Sequence, residues 1–197
     1  ARHADGTKVV DTATLFVSHA HGCGFWRMLD GVEAYMHAHK LSPQHTYCWI
    51  DAWSLRQHRQ AEEVAFIAAV AQSIGHGVLV LDPYDAPLAF SRAWCLFEVV
   101  TVLDGGGRFG VSLPPDERVR LVRALRADRA SVLRTLTQFD VREAALNDEE
   151  DRKTLLALIR RRFGSPDVDG REDGAAEVNE RTREALWNAL AAFSWQI

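Results

Sequence analysis

Short apolar runs without regular polar positions recur along the first two-thirds of the chain, and each is predicted to be a strand. These runs cover residues 14–18, 47–51, 77–81 and 108–113. The segments between them repeat apolar residues every three or four positions, which predicts helices over 24–39, 61–74 and 91–103. Strands that are apolar on both faces and separated by helices are typical of a parallel sheet covered by helices on both faces.

The inner faces of the first two helices follow from the same spacing. Their predicted core positions are Phe25, Met28, Leu29, Val32 and Met36 in the first helix and Val64, Phe66, Ile67 and Val70 in the second.

Beyond residue 113 the pattern is helical only. Prolines and acids at 114–117 predict the start of a long helix, since both are favoured in a first helical turn. Further helices are predicted over 148–163 and 178–193, separated by a glycine-rich, charged segment, 164–176, predicted to be a flexible linker. We therefore predict a flavodoxin-like α/β fold: a parallel sheet of four to five strands in a domain over 1–163, with a C-terminal helical extension over 177–197 packed on it.

Composition limits the possible partners. The net charge is −4 and the acids and bases are interspersed, so no basic surface for nucleic acid is predicted. No apolar run approaches the ~20 residues of a membrane span. The cysteines are odd in number, and the apolar neighbours of Cys48 and Cys95 predict buried free thiols, typical of a reducing cytoplasmic compartment. Because the chain begins with Ala1, we expect it to be part of a longer protein with other domains.

The predicted fold also selects candidate binding segments. In open parallel sheets ligands bind beyond the carboxyl ends of the strands. This rule selects His19-Ala20-His21-Gly22, Asp51-Ala52-Trp53-Ser54 and Asp82-Pro83-Tyr84-Asp85.

Glu98 is the only charged residue between Arg92 and Asp104, in a helix that is apolar nearly all round. Such a helix is packed on most sides, so the carboxylate is predicted to be largely buried. A buried carboxylate is costly unless it has a partner or its pKa rises. Two interpretations stay open at this point: a functional carboxylate, or a structural one paired with an arginine such as Arg92 or Arg108.

Other motifs are less informative. The pairs His19-x-His21 and His37-x-His39 lack an acid or cysteine at ligand spacing, so no metal site is predicted. The apolar neighbours of Cys95 should raise its pKa and make it inert as a nucleophile. Residues 105–110 match GxGxxG but follow a helix and precede a strand, the reverse of the dinucleotide-binding arrangement.

The string Ser91-Arg92-Ala93-Trp94-Cys95-Leu96-Phe97-Glu98 resembles the signature of Toll/interleukin-1 receptor (TIR) domains, in which Trp-Cys-x-x-Glu opens the helix after the third strand. The strand at 15–18 resembles the first TIR strand, and Trp49-Ile50-Asp51 followed by Leu55 resembles the second strand and the BB loop. Two segments depart from the family pattern. His19-Ala20-His21 stands where many TIR domains have an aromatic residue and arginine, and 54–63 lacks the BB-loop glycine and carries Arg56, His58 and Arg59 instead.

This resemblance implies an enzyme that cleaves the nicotinamide–ribose bond of NAD+ and yields nicotinamide with ADP-ribose or cyclic ADP-ribose. It implies Glu98 as the catalytic carboxylate, stabilising an oxocarbenium-like ribose. Nicotinamide leaves as a neutral molecule, so the reaction requires no general acid, metal or further cofactor. The expected substrate-binding residues are Trp94, His19, Ala20, His21, Asp51 and Trp53.

The resemblance also implies self-association through TIR–TIR contacts in a signalling or immune effector protein. We expect a neighbouring protomer to order the segment 52–63, whose apolar anchors are Trp53 and Leu55. The alternative is a non-catalytic TIR-type assembly module. Glu98 favours the enzyme, whereas the altered loop after Ser18 favours the assembly module.

Overall fold

Four parallel strands form one sheet in the part of the chain that the computed structural model describes, residues 6, 8–54, 60–146, 149–164 and 173–194. The strands are β1 Leu15–Ser18, β2 Cys48–Ile50, β3 His76–Val80 and β4 Arg108–Ser112. Their order is β2-β1-β3-β4, and every neighbouring pair is parallel. The predicted flavodoxin-like parallel sheet is confirmed, with each strand within one or two residues of its expected position.

Helices connect these strands and continue beyond them. They are α1 Phe25–Ala38, α2 Asp51–Ser54, α3 Gln60–Ile74, α4 Ala93–Asp104, α5 Pro115–Thr137, α6 Glu149–Phe163 and α7 Ala175–Ser194. The short α2 corrects the expectation of a loop over 51–54. Asp51 Oδ1 accepts the backbone N–H of Ala52 at 2.7 Å, and an acid is favourable in a first helical turn.

The two faces of the sheet are covered by different helices, because successive side chains of a strand point to opposite faces. Leu15 and Val17 pack with Met28 and Val32 of α1. Phe16, between them in sequence, packs on the other face with side chains of α3 and α4. The prediction of helices on both faces is therefore confirmed.

Two aromatic residues expected in the core are instead exposed. Phe25 in the first turn of α1 and Phe66 in α3 both present large surfaces to solvent. The side chain of Val64 lies outside the described residues. Ile67 is buried as predicted. Apolar spacing identified the buried stripes, but it did not show how far the sheet extends beneath each helix.

The C-terminal helices enlarge the core on the α4 side. Side chains of α7 and α6 share one buried cluster with α4. Helix α7 begins at Ala175, inside the predicted linker, and Arg142 forms an ion pair with Asp173 just before it. The last two residues of the predicted linker are therefore helical, and 165–172 lies outside the described residues. Within the described chain, none of the helices is long and apolar enough to cross a membrane.

Candidate functional site

Polar side chains from three neighbouring elements meet at the carboxyl edge of the sheet. Ser18 ends β1, His19 and His21 follow it, and Asp51 follows β2. Glu98 lies in the second turn of α4, the helix that follows β3. Parallel strands end at the same edge, which is why residues 80 positions apart come into contact here.

Glu98 is buried, as the sequence predicts, with only 7% of its surface exposed. Ser18 Oγ donates a hydrogen bond to Glu98 Oε2 at 2.5 Å. Burial and, to a smaller extent, the nearby charge of Asp51 raise the pKa of Glu98 to about 8, although the hydrogen bond from Ser18 opposes both. A substantial fraction of this carboxyl is therefore protonated at neutral pH.

The structural alternative for Glu98 was an ion pair with an arginine. Within the described residues no Glu98 ion pair is found, and no cation contributes to the pKa of Glu98. Arg108 lies at the opposite edge of the sheet, where its guanidinium donates to His76 Nδ1 at 3.1 Å. A buried carboxylate with one neutral hydrogen-bond donor is the pattern of a functional group more than of a structural ion pair.

Two histidines and an aspartate lie beside Glu98. His21 Nε2 is 2.6 Å from Asp51 Oδ2, and His19 Nδ1 is 3.8 Å from Asp51 Oδ1. Burial opposes ionisation of Asp51, but the hydrogen bond with His21, the charges of both histidines and the backbone N–H of Ala52 together lower its pKa. The same hydrogen bond raises the pKa of His21, whereas burial lowers that of His19. The sequence missed the contribution of Asp51 to the histidine pair, because Asp51 is 30 residues from His21 along the chain.

Three further expected substrate contacts have different surroundings. Trp94 lies one helical turn before Glu98 and is partly buried, its ring edge-on to Phe97. Ala20 is buried, and its carbonyl accepts the N–H of Cys23. Trp53 is 63% exposed, and its ring centroid lies 5.5 Å from that of Phe25.

With Trp26, which contacts Phe25, the rings of Trp53 and Phe25 form an exposed surface that we call the aromatic patch. The patch lies at the same edge of the sheet as Glu98, since α1 begins there and α2 follows β2. The sequence missed it because the three residues come from two separate segments. The expected BB-loop residues Leu55, Arg56, His58 and Arg59 lie outside the described residues.

The third expected binding segment, 82–85, is engaged in a structural network. Arg27 of α1 donates two hydrogen bonds to the Asp82 carboxylate, at 2.6 and 2.9 Å, and also contacts Asp116 of α5. The backbone N–H of Tyr84 donates to buried Glu117 at 2.8 Å. These bonds fix the segment against α1 and α5, so its polar groups serve structure.

Of the two cysteines predicted to be buried, one is buried and the other is not. Cys95 is buried, and burial raises its pKa, which agrees with the prediction of an inert thiol. Cys48 is exposed, so the prediction that it is buried is wrong. It begins β2, which is an edge strand, and the sequence alone does not reveal strand order.

Two cavities of about 320 Å³ each lie away from Glu98. One runs along the edge strand β4, between α1 and α7, and is lined by Tyr35, His76 and Arg108. The other lies between Tyr84 and α5. Glu98 lines neither of them, and its low exposure leaves little of its carboxylate open to solvent.

Comparison of the chain with models of known protein families, with curated proteins and with solved structures gave no match. The site is therefore interpreted from its own residues. Sequence reasoning found Glu98, His19, His21 and Asp51 and the edge of the sheet at which they meet. It missed Ser18 as the partner of Glu98. A serine at the end of a buried strand was the available signal, since a buried hydroxyl needs a partner.

Proposed function

We propose that this chain is an NAD+ nucleosidase of the TIR type, with Glu98 as the catalytic residue. The observation that carries the proposal is the buried Glu98 carboxyl at the carboxyl edge of the sheet, bonded to Ser18 and without an ion pair among the described residues. A group with a strongly perturbed pKa at the ligand-binding edge of an α/β sheet is a candidate for chemistry.

The ionised carboxylate would stabilise the positive charge that develops on the ribose as the nicotinamide–ribose bond breaks. The bonding electrons leave with nicotinamide, whose ring nitrogen thereby becomes neutral. Water then adds to the ribose carbon and releases a proton, giving ADP-ribose, or an adenine nitrogen adds to give the cyclic product. In this proposal Trp94, one turn from Glu98, forms a wall of the nicotinamide–ribose site. His19, Ala20, His21, Asp51 and Trp53 remain the expected substrate contacts.

The direct test is nicotinamide release by purified Glu98→Gln, which preserves shape and removes the charge. We expect at least a hundredfold loss of activity with no loss of stability. Glu117→Gln is the matched control, because Glu117 is also buried but accepts hydrogen bonds from Arg120 and from the backbone N–H of Tyr84. The control should lose stability and keep its activity per folded molecule. An active, destabilised Glu98→Gln variant would overturn the proposal.

Self-association forms part of the same proposal. The exposed aromatic patch of Phe25, Trp26 and Trp53 lies at the edge of the sheet that holds Glu98, and exposed apolar patches mark interaction surfaces. We expect specific activity to rise with protein concentration and Trp26→Ser to weaken this rise. Constant specific activity over a hundredfold dilution of a monomeric protein would contradict it.

The second candidate is a non-catalytic TIR-type assembly module. The near closure of Glu98 and the exposed aromatic patch favour this function. It predicts self-association without nicotinamide release at any pH or concentration, and association that Glu98→Gln leaves unchanged. Either function suits a cytoplasmic signalling or immune effector protein.

A further inference from the structure

His19, His21 and Asp51 form a group of three potential metal ligands. One ligand atom of each lies within 4.8 Å of the others. No second trio of this kind occurs among the residues that the structure describes. Two of the three side chains come from the loop after β1 and the third from the start of α2, so the fold holds them from two sides.

His19 supplies an observation independent of this clustering. Its side chain is only 7% exposed, and its Nδ1 atom has no hydrogen-bond partner among the described residues. Buried polar atoms in native proteins are nearly always paired, so an unpaired one calls for an explanation. The nearest carboxylate oxygen of Asp51 is 3.8 Å away, too far for a hydrogen bond. The hydrogen bond between His21 and Asp51 accounts for those two residues, but it leaves Nδ1 of His19 unexplained.

A metal ion accounts for all three residues together. Two imidazoles and one carboxylate, with a further position for water, are a common ligand set for Zn²⁺. Zn²⁺ lies about 2.0–2.1 Å from nitrogen ligands, which places tetrahedral ligand atoms roughly 3.3 Å apart. His21 is 41% exposed, so its ring can turn away from the 2.6 Å contact with Asp51 and admit the ion.

We propose that His19, His21 and Asp51 bind one divalent transition-metal ion of the Zn²⁺ class, with a coordination position left for water. Histidine nitrogens disfavour Mg²⁺ and Ca²⁺, which prefer oxygen ligands. The site uses three of the expected substrate contacts of the proposed NAD+ cleavage but does not depend on that function, because binding of the ion requires only these three side chains.

The test titrates Co²⁺, a spectroscopic substitute for Zn²⁺, into the metal-free full chain and follows visible absorption. We expect one equivalent of Co²⁺ to give the intense bands of a four- or five-coordinate site, and Zn²⁺ to abolish them. His21→Ala and Asp51→Asn should each weaken binding at least tenfold. His37→Ala is the matched control, since His37-x-His39 is a second His-x-His pair, exposed at the carboxyl end of α1. It should bind as the unmodified chain does.

His21 is the decisive position because its exposed side chain can be removed without disturbing the core. Circular dichroism is used to check that the His21→Ala variant is folded. Absence of these bands in the unmodified chain overturns the proposal. So does binding that His21→Ala and Asp51→Asn leave unchanged, or binding that His37→Ala removes. The absorption reports the ion alone, so a failure of this proposal is distinguishable from a failure of NAD+ cleavage.

Discussion

An ionisable side chain is buried at each of the two edges of the sheet, but the two side chains differ in how many partners they have. At the amino edge, His76 is 8% exposed and both of its ring nitrogens have partners, Tyr35 Oη at 3.0 Å and Arg108 at 3.1 Å. At the carboxyl edge, Glu98 is as deeply buried but has one hydrogen bond and no ion pair within the described chain. Burial is shared by both edges, so it does not identify the functional one. Incomplete pairing distinguishes the carboxyl edge from the amino edge and supports the proposed site there.

The two edges also respond to pH in opposite directions. Burial lowers the pKa of His76 from 6.5 to about 4, so the fold favours its neutral form and the amino edge loses stability as pH falls from 6.5 toward 4. Burial raises the pKa of Glu98 from 4.5 to about 8, so the fold favours its protonated form. The carboxyl edge therefore loses stability as pH rises from 4.5 toward 8.

The largest expected effect is on the pH dependence of stability. Relative to Glu98→Gln, the unmodified chain should lose on the order of 4 kcal/mol of unfolding free energy between pH 5 and pH 9, because each displaced pKa unit corresponds to about 1.4 kcal/mol. Urea denaturation of both proteins at pH 5, 7 and 9 measures this difference. A difference that is constant across this range would mean that Glu98 is paired or exposed in solution.

At the amino edge, Tyr35→Phe should cost about 1–3 kcal/mol, because it leaves His76 Nε2 buried without its partner. Nicotinamide release per folded molecule should not change, since this edge serves structure. Urea denaturation and the activity assay are run on the same preparation. Loss of activity at unchanged stability would show instead that the amino edge contributes to function.

A smaller effect is expected from Ser18→Ala. The hydrogen bond from Ser18 lowers the pKa of Glu98, so its removal should move the pH profile of nicotinamide release upward, by about one pH unit or less if the bond contributes about 1 kcal/mol. Ser112→Ala is the matched control, because Ser112 is also buried at the end of a strand but donates to the carbonyl of Gly31 at 2.7 Å. An equal shift in both variants would contradict a specific contact between Ser18 and Glu98.

The smallest effect on activity is expected from Cys95, which is in the same helix as Glu98 but whose Sγ donates a hydrogen bond to the carbonyl of His19 at 3.4 Å. Cys95→Ala should reduce stability by about 1–2 kcal/mol and leave activity per folded molecule unchanged. A thiol-blocking reagent under native conditions should modify exposed Cys48 first, and Cys48→Ser provides the control. Inactivation that follows modification of Cys95 would indicate that its thiol acts as a nucleophile.

Local patterns predicted the parts of this molecule that depend on local burial. Apolar runs located the four strands, and an isolated charge in an apolar helix located Glu98. Exposure and contacts that depend on the order of the strands could not be predicted from local patterns. Cys48 is exposed because β2 lies at an edge, and Asp51 reaches His21 because β2 neighbours β1. The aromatic patch likewise depends on where α1 and α2 begin over the sheet.

The proposed role of Glu98 is catalysis by its ionised carboxylate at the carboxyl edge. It is tested most directly by nicotinamide release from NAD+ across pH 6 to 9, for the unmodified chain and Glu98→Gln at high protein concentration. We predict that release by the unmodified chain rises with pH through a midpoint near 8, and that Glu98→Gln is inactive throughout. Equal release by the two proteins, or no release by the unmodified chain at any of these pH values, would contradict the account.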